Sequence, residues 1–138
     1  MVFQHTFELV PYPRGFHLIT AEAEKQLKKS GIQKGIAQLF IHHTSASLTI
    51  NENADPSVRQ DFERHFNAMI PENAPYFRHT QEGSDDMPAH IKASLLGSSV
   101  QLPVKDGRFL TGIWQGIYLC EHRNLGGART LTLTVLGE

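Results

Sequence analysis

The chain has a single cysteine, Cys120, among 138 residues, so no intramolecular disulfide framework can hold it together and its stability has to come from a packed core. Charge of one sign is also missing: 13 basic residues against 14 acidic ones leave a formal net charge of -1. Nothing global therefore recruits nucleic acid or an acidic membrane surface, and any anion has to be met by a local group. Long apolar runs are absent as well. The first ten residues, M-V-F-Q-H-T-F-E-L-V, carry no basic segment followed by an apolar core, and no window approaches a membrane span. These absences predict a soluble cytoplasmic protein with neither nucleic-acid nor membrane partners. Without a repeat, a linker or a low-complexity run, residues 1–138 read as one domain.

Histidine is what the chain has in quantity. Eight are spread from His5 to His122, too dispersed for a tag. The densest chemistry lies at His79-Thr-Gln-Glu-Gly-Ser-Asp-Asp-Met-Pro-Ala-His90, with two imidazoles and three carboxylates in twelve residues. Asp85 and Asp86 stand just before Pro88, which predicts a helix starting near Met87, with acidic side chains accepting from its free N–H groups. His90 then lies in the first turn, and His79 sits on a loop that can fold back toward it.

Alternation over Phe3–Val10 predicts a strand, ended by Pro11 and Pro13, and Gly15–Ile19 a second short one. Thr20 is placed to cap a helix over Ala21–Lys29, with Gly31 as its stop. Ile36–Ile41 and Leu48–Ile50 read as strands flanking His42-His43-Thr44-Ser45-Ala46-Ser47. Asp55-Pro56 opens a helix whose Val58, Phe62, Phe66 and Met69 recur at helical spacing. Ser99–Val104 and Arg108–Ile113 flank an Asp106-Gly107 hairpin turn, and Gln115–His122 and Thr130–Leu136 supply two more strands. This order predicts an α+β fold with a mostly antiparallel sheet and about three helices. So few helices leave a sheet face uncovered, for which oligomerisation is the natural remedy.

His43, His79 and His90 end predicted elements, and three imidazoles with an open position suit a catalytic metal; each alone is equally an ordinary loop or capping residue. Glu82, Asp85 and Asp86 are placed to orient them. Thr44, Ser45 and Ser47 offer hydroxyls and free N–H groups for an oxyanion or simply connect strands, and no G-x-S-x-G elbow supports an acyl-transfer serine. Asn51, Asn53 and Asp55 either hold substrate or form turns and a cap. Trp114 beside Gln115 can lie along a planar ligand or pack in a core or interface. Arg123 and Arg129 can neutralise phosphate or decorate the surface. Cys120 reads as a small buried hydrophobe.

Taken in order, His43-Thr-Ser-Ala, Asn51-Glu-Asn-Ala-Asp-Pro56, Glu82-Gly83, Met87-Pro-Ala-His-Ile-Lys92 and Trp114-Gln-Gly-Ile-Tyr118 with Glu121 resemble the YjbQ family over nearly the whole chain. Where many members carry Asp-Gly-Pro-Arg after the last acidic position, this chain has Glu121-His-Arg-Asn-Leu-Gly-Gly127. The resemblance implies a large mixed sheet in a homotrimer and a histidine-rich site. It also implies a secondary thiamine-phosphate synthase activity, joining a pyrimidine diphosphate to a thiazole phosphate. Carried onto this chain, a divalent metal, zinc or magnesium, falls on His43, His79 and His90. Glu82, Asp55 and Gln115 take catalytic roles, and Ser45, Asn53, Trp114, Arg123 and Arg129 meet the phosphorylated substrate. The same ligands serve two other readings: a non-catalytic trimer that binds metal or a phosphorylated metabolite, and a metal-dependent phosphoester hydrolase.

Overall fold

The computed structural model describes residues 1–138, in the order β1 (Val2–Glu8), β2 (Gly15–Leu18), α1 (Thr20–Ser30), β3 (Lys34–Ile41), β4 (Ala46–Glu52), α2 (Pro56–Met69), α3 (Asp86–Leu96), β5 (Ser99–Lys105), β6 (Arg108–Phe109), β7 (Gln115–Glu121) and β8 (Thr130–Gly137). The α+β class and the three helices agree with the sequence reading. The single large mixed sheet does not: the strands divide into two sheets, β1-β8-β3-β5-β6 and β2-β7-β4, and every pairing is antiparallel.

Burial explains the division. The smaller sheet is covered on both faces, which is why β7 reads as a continuous apolar run and is buried from Gly116 to Glu121. One of its faces contributes Leu48, Ile117 and Leu119 to the main core, where they meet Leu39, Leu131, Leu133 and Val135 of the larger sheet and Ala23 and Leu27 of α1. Burying a side chain such as Leu133 stabilises the fold by about 1.5–3 kcal/mol. On its other face Phe16, Tyr118 and Cys120 pack with Phe62 and Phe66 of α2 and Leu96 of α3. The larger sheet keeps its alternation, with Leu131, Leu133 and Val135 inward and Thr130, Thr132 and Thr134 on the opposite, uncovered face.

Helix starts depart from expectation at α1 and at α3, which begins at Asp86 with no side-chain cap. Asp55 caps α2 as predicted, its carboxylate accepting from Ser57 N at 2.9 Å. Thr20 does not cap α1: it is the first helical residue, and its hydroxyl accepts from Ile117 N at 2.9 Å, tying the helix to β7. Gly31 closes α1 with φ 67, in the left-handed region that glycine enters at no steric cost. The return strand after the hairpin is only two residues long, and residues 110–114 form a loop.

The ladder of β4 and β7 positions everything that follows. Ala46 pairs with Glu121 at one end and Glu52 with Gln115 at the other. Six residue intervals separate these ends, roughly 20 Å at strand rise.

Candidate functional site

At the Ala46–Glu121 end, the start of α3 meets the segment after β7. Asp85 and Asp86 do not turn back to cap their helix as the sequence suggests; Arg123 takes both. Its Nε donates to Asp85 Oδ2 at 3.0 Å, its Nη1 to Asp86 Oδ1 at 2.7 Å and its Nη2 to the Glu82 carbonyl at 2.9 Å. Asp85 Oδ2 also accepts from Asn124 N at 2.9 Å. Burial alone would raise both carboxyls. Hydrogen bonds from Asn124 and Arg123 hold Asp85 below the usual carboxylate range, and those from His79 together with the charge of Arg123 do the same for Asp86.

Asp86 Oδ2 is left for the imidazoles. His79 Nε2 lies 2.6 Å from it and His90 Nε2 3.2 Å, and the three candidate ligand atoms lie within 4.8 Å of one another. His90 stands one helical turn after Asp86, so both project from the same face of α3. The other nitrogen of His90, Nδ1, is 3.0 Å from the Thr44 carbonyl, which only accepts, so Nδ1 carries a proton. In its neutral form His90 therefore aims an Nε2 lone pair at a carboxylate oxygen. That arrangement repels unless a proton or a metal cation lies between the two atoms. A carbonyl fixing the distal nitrogen is how ligating histidines are commonly held, so this donor set fits a divalent cation. Asp86, assigned above only an orienting part, is the third member.

His43 is not a member, which corrects the expected three-histidine set. Its Nε2 accepts from Thr130 N at 2.8 Å, so the neutral ring carries its proton on Nδ1 and has no free lone pair. Burial, followed by the nearby charge of Arg129, pushes its pKa down and keeps it neutral. It lines a cleft of ≈ 290 Å³ with His90, Thr44, Ser94 and Ser98.

Neither arginine stands free for phosphate. Arg129 is buried against Glu121, Nε to Oε1 at 2.7 Å and Nη2 to Oε2 at 2.6 Å, and it reaches Ser45 Oγ at 3.1 Å. Ser45 is thereby held behind the cleft. Glu121 Oε2 also accepts from Arg123 N at 3.1 Å, linking this buried pair to the Asp86 site. Glu82 is the exposed carboxylate beside it. Deeper in, Ser47 Oγ and His122 Nε2 lie 2.9 Å apart, and burial with the charge of Lys92 pushes His122 down to about 3. This pair is sealed from solvent and cannot act as a serine nucleophile.

The remaining expected residues lie at the far end of the ladder. Asn53 Nδ2 donates to the carbonyls of Ile113 and Gln115 at 3.2 and 3.1 Å, and Gln115 Oε1 accepts from Gly112 N at 2.7 Å. The two amides brace the loop that presents Ile113 and Trp114 to solvent. Asp55 is next to them as the α2 cap. Within one chain Asn53, Asp55, Trp114 and Gln115 are thus separated from His79 and His90, because the β4–β7 ladder holds the two groups apart.

An antiparallel α+β domain with a carboxylate between two histidines at the start of a helix defines the class, and comparison defines the family. The model of the UPF0047 protein YjbQ-like family matches residues 5–138, and the chain belongs to that family. It is 53% identical over 141 residues to the UPF0047 protein YjbQ of Salmonella typhimurium, covering 100% of both chains. A YbjQ-like protein of unknown function from Sulfolobus solfataricus superposes with a TM-score of 0.88 at 26% identity, over 100% of this chain and 99% of that one. An uncharacterized conserved protein of the yjbq/upf0047 family from Clostridium acetobutylicum gives 0.86 at 34% identity, over 96% and 99%. No helix is long and apolar enough to cross a membrane.

Proposed function

We propose that the chain is a metal-assisted transferase acting on a phosphorylated heterocycle, with thiamine-phosphate formation the reaction that its resemblance favours. The observation that carries this reading is the convergence of His79 Nε2, Asp86 Oδ2 and His90 Nε2 within 4.8 Å, with His90 pinned through its far nitrogen. These three residues would hold the cation, zinc or magnesium. When bound, the cation supplies positive charge to a leaving pyrophosphate, the charge that Arg123 and Arg129, already paired, cannot spare. Arg123 fixes the Asp86 carboxylate. Thr44, Ser94 and Ser98 offer hydrogen bonds to phosphate oxygens in the adjoining cleft, and Glu82, exposed beside Arg123, is the carboxylate assigned to take a proton.

The size of that cleft favours a second reading. At ≈ 290 Å³ it sits at the small end of ligand pockets and suits one phosphorylated molecule better than two joined ones. Phosphoester hydrolysis, or binding without turnover, uses the same three ligands.

The same proposal has the chain working as a cytoplasmic homotrimer. Support for self-association comes from one row across the uncovered face, where Val2, Leu136, Ile36 and Pro103 are successive register partners and Leu110 N donates to the Pro103 carbonyl. The four large apolar side chains of this row, from Val2 to Leu110, are all exposed, an apolar stripe that monomers seldom present. A reducing compartment suits Cys120, which is sealed in the core with its thiol pushed up to about 12 by burial.

The test is metal content per chain in wild type and His79→Ala, followed by assay of the loaded wild type. Bound metal lost in the variant, with pyrophosphate released from a pyrimidine diphosphate and a thiazole phosphate, supports the transferase. Phosphate released from a simple phosphoester instead moves the weight to the hydrolase, and metal without turnover moves it to the binding protein. Metal unchanged in His79→Ala would remove the site itself.

A further inference from the structure

A second set of cations lies in a different groove and takes no part in the His79 site. Arg59, Gln60 and Arg64 of α2 face Gly15, Phe16 and His17 of β2 across a cleft of ≈ 450 Å³. β2 is the outer strand of its sheet, so the groove is open along one side.

Charge in this groove is unbalanced. Its one carboxylate, Glu63, accepts from Arg14 Nε at 3.2 Å and from Asn67 Nδ2 at 3.0 Å. Arg14 is committed in turn, with Nη2 on Asn67 Oδ1 at 2.7 Å and Nη1 on Asn124 Oδ1 at 3.3 Å. Arg59 and Arg64 belong to no ion pair. Asp55, one turn before Arg59, spends an oxygen on Ser57 N. Most telling is Arg59 Nε, which is shielded from water and has no acceptor. The Arg59 guanidinium is therefore committed to no acceptor within the chain while its side chain lines the open cleft.

We propose that this groove binds the phosphate or diphosphate group of a small soluble molecule. Arg59 and Arg64 supply the guanidinium forks, which suit tetrahedral polyanions in paired geometry. Gln60 and His17 line the approach, and Phe16 forms an apolar floor beneath whatever the phosphate carries. A nucleic-acid backbone fits less well, since it needs a basic stripe over many phosphates and this chain has a net charge of -1. This inference is independent of the reaction proposed above, because it uses none of the residues around Asp86.

Calorimetric titration of the metal-free full chain with inorganic pyrophosphate tests it, using wild type, Arg59→Gln, Arg64→Glu and His79→Ala. The expected result is saturable binding that is unchanged in His79→Ala and about tenfold or more weaker in Arg59→Gln. Arg64 is exposed, so Arg64→Glu leaves the fold intact and is expected to abolish binding even where Arg59→Gln unfolds the chain. Three results would overturn the proposal: no saturable binding by wild type, binding indifferent to Arg64→Glu, or loss in His79→Ala. A single-stranded oligonucleotide that binds where pyrophosphate does not would also overturn it.

Discussion

Arg123 holds Asp86 by one carboxylate oxygen, Nη1 to Oδ1 at 2.7 Å, and so turns the other oxygen toward His79 and His90. The guanidinium that the sequence offers as a phosphate ligand acts through this carboxylate. Partners that orient a ligating group are worth roughly 10–100-fold in metal affinity. Arg123→Gln should weaken zinc affinity by about that factor while the stoichiometry at saturation stays the same, read by competition with a chromophoric chelator. An affinity equal to wild type would remove Arg123 from this role.

The ligand set itself separates the histidines. His90→Ala and Asp86→Asn should each lose the bound metal, whereas His43→Ala should keep it, because the His43 lone pair is spent on Thr130 N. Elemental analysis of the three purified variants decides between this trio and the three-histidine set.

Stability should fall with acid through His122. Its pKa is lowered from 6.5 to about 3 in the folded chain by burial, then by Lys92 and Arg14. Below pH 6.5 the unfolded chain takes up a proton that the folded chain refuses, so stability is lost as pH falls from 6.5 toward 3. Between pH 7 and pH 5 this group alone should cost about 2 kcal/mol. Urea unfolding of wild type and His122→Asn at both values checks it: the variant should show a shallower decline.

Asp86 gives a second acid limb of opposite origin. Its folded pKa lies below 3.8, so its contribution is present above that value and lost as pH falls through the lower folded pKa. Asp86→Asn should therefore flatten the stability profile only below about pH 4, and a change confined to pH 5–7 would contradict the assignment.

Gly126 is fixed by close approach. A Cβ there would stand 2.2 Å from Glu121 Oε1, the oxygen that receives Arg129 Nε. Gly126→Ala must displace a buried ion pair and should destabilise the chain by about 3 kcal/mol, measurable as a lower urea midpoint. Ser45 and Arg123 share that pair, so metal affinity should fall as well.

The uncovered face makes a separate prediction. Ile36→Asp with Leu136→Asp places two charges in the apolar row, and sedimentation should then find a monomer where wild type associates. A wild type that sediments as a monomer contradicts the trimer.

Periodicity and turn chemistry carry most of the fold. Asp55-Pro56 and Asp106-Gly107 specify a cap and a hairpin through local backbone constraints, and both stand where the sequence puts them. The division into two sheets is not local, since it depends on β7 being buried on both faces, and a run of apolar residues does not say what covers it. The site divides in the same way. His79, Asp86 and His90 were legible as a dense stretch, and the spacing from Asp86 to His90 already puts those two on one helix face. The engagement of Arg123, Arg129 and His43 was not legible, because their partners are 8 to 87 residues away in sequence. Lys92 is a related case: it is buried with its Nζ on Asn67 Oδ1 at 2.6 Å, a partner 25 residues away.

The β4–β7 ladder also acts as a ruler. It is an unbroken antiparallel ribbon with no bulge or proline to bend it, so its ends cannot approach each other. A metabolite the size of a single heterocycle is far shorter than the roughly 20 Å it spans. Within one molecule, then, no single ligand of that size can touch both His79 and Trp114.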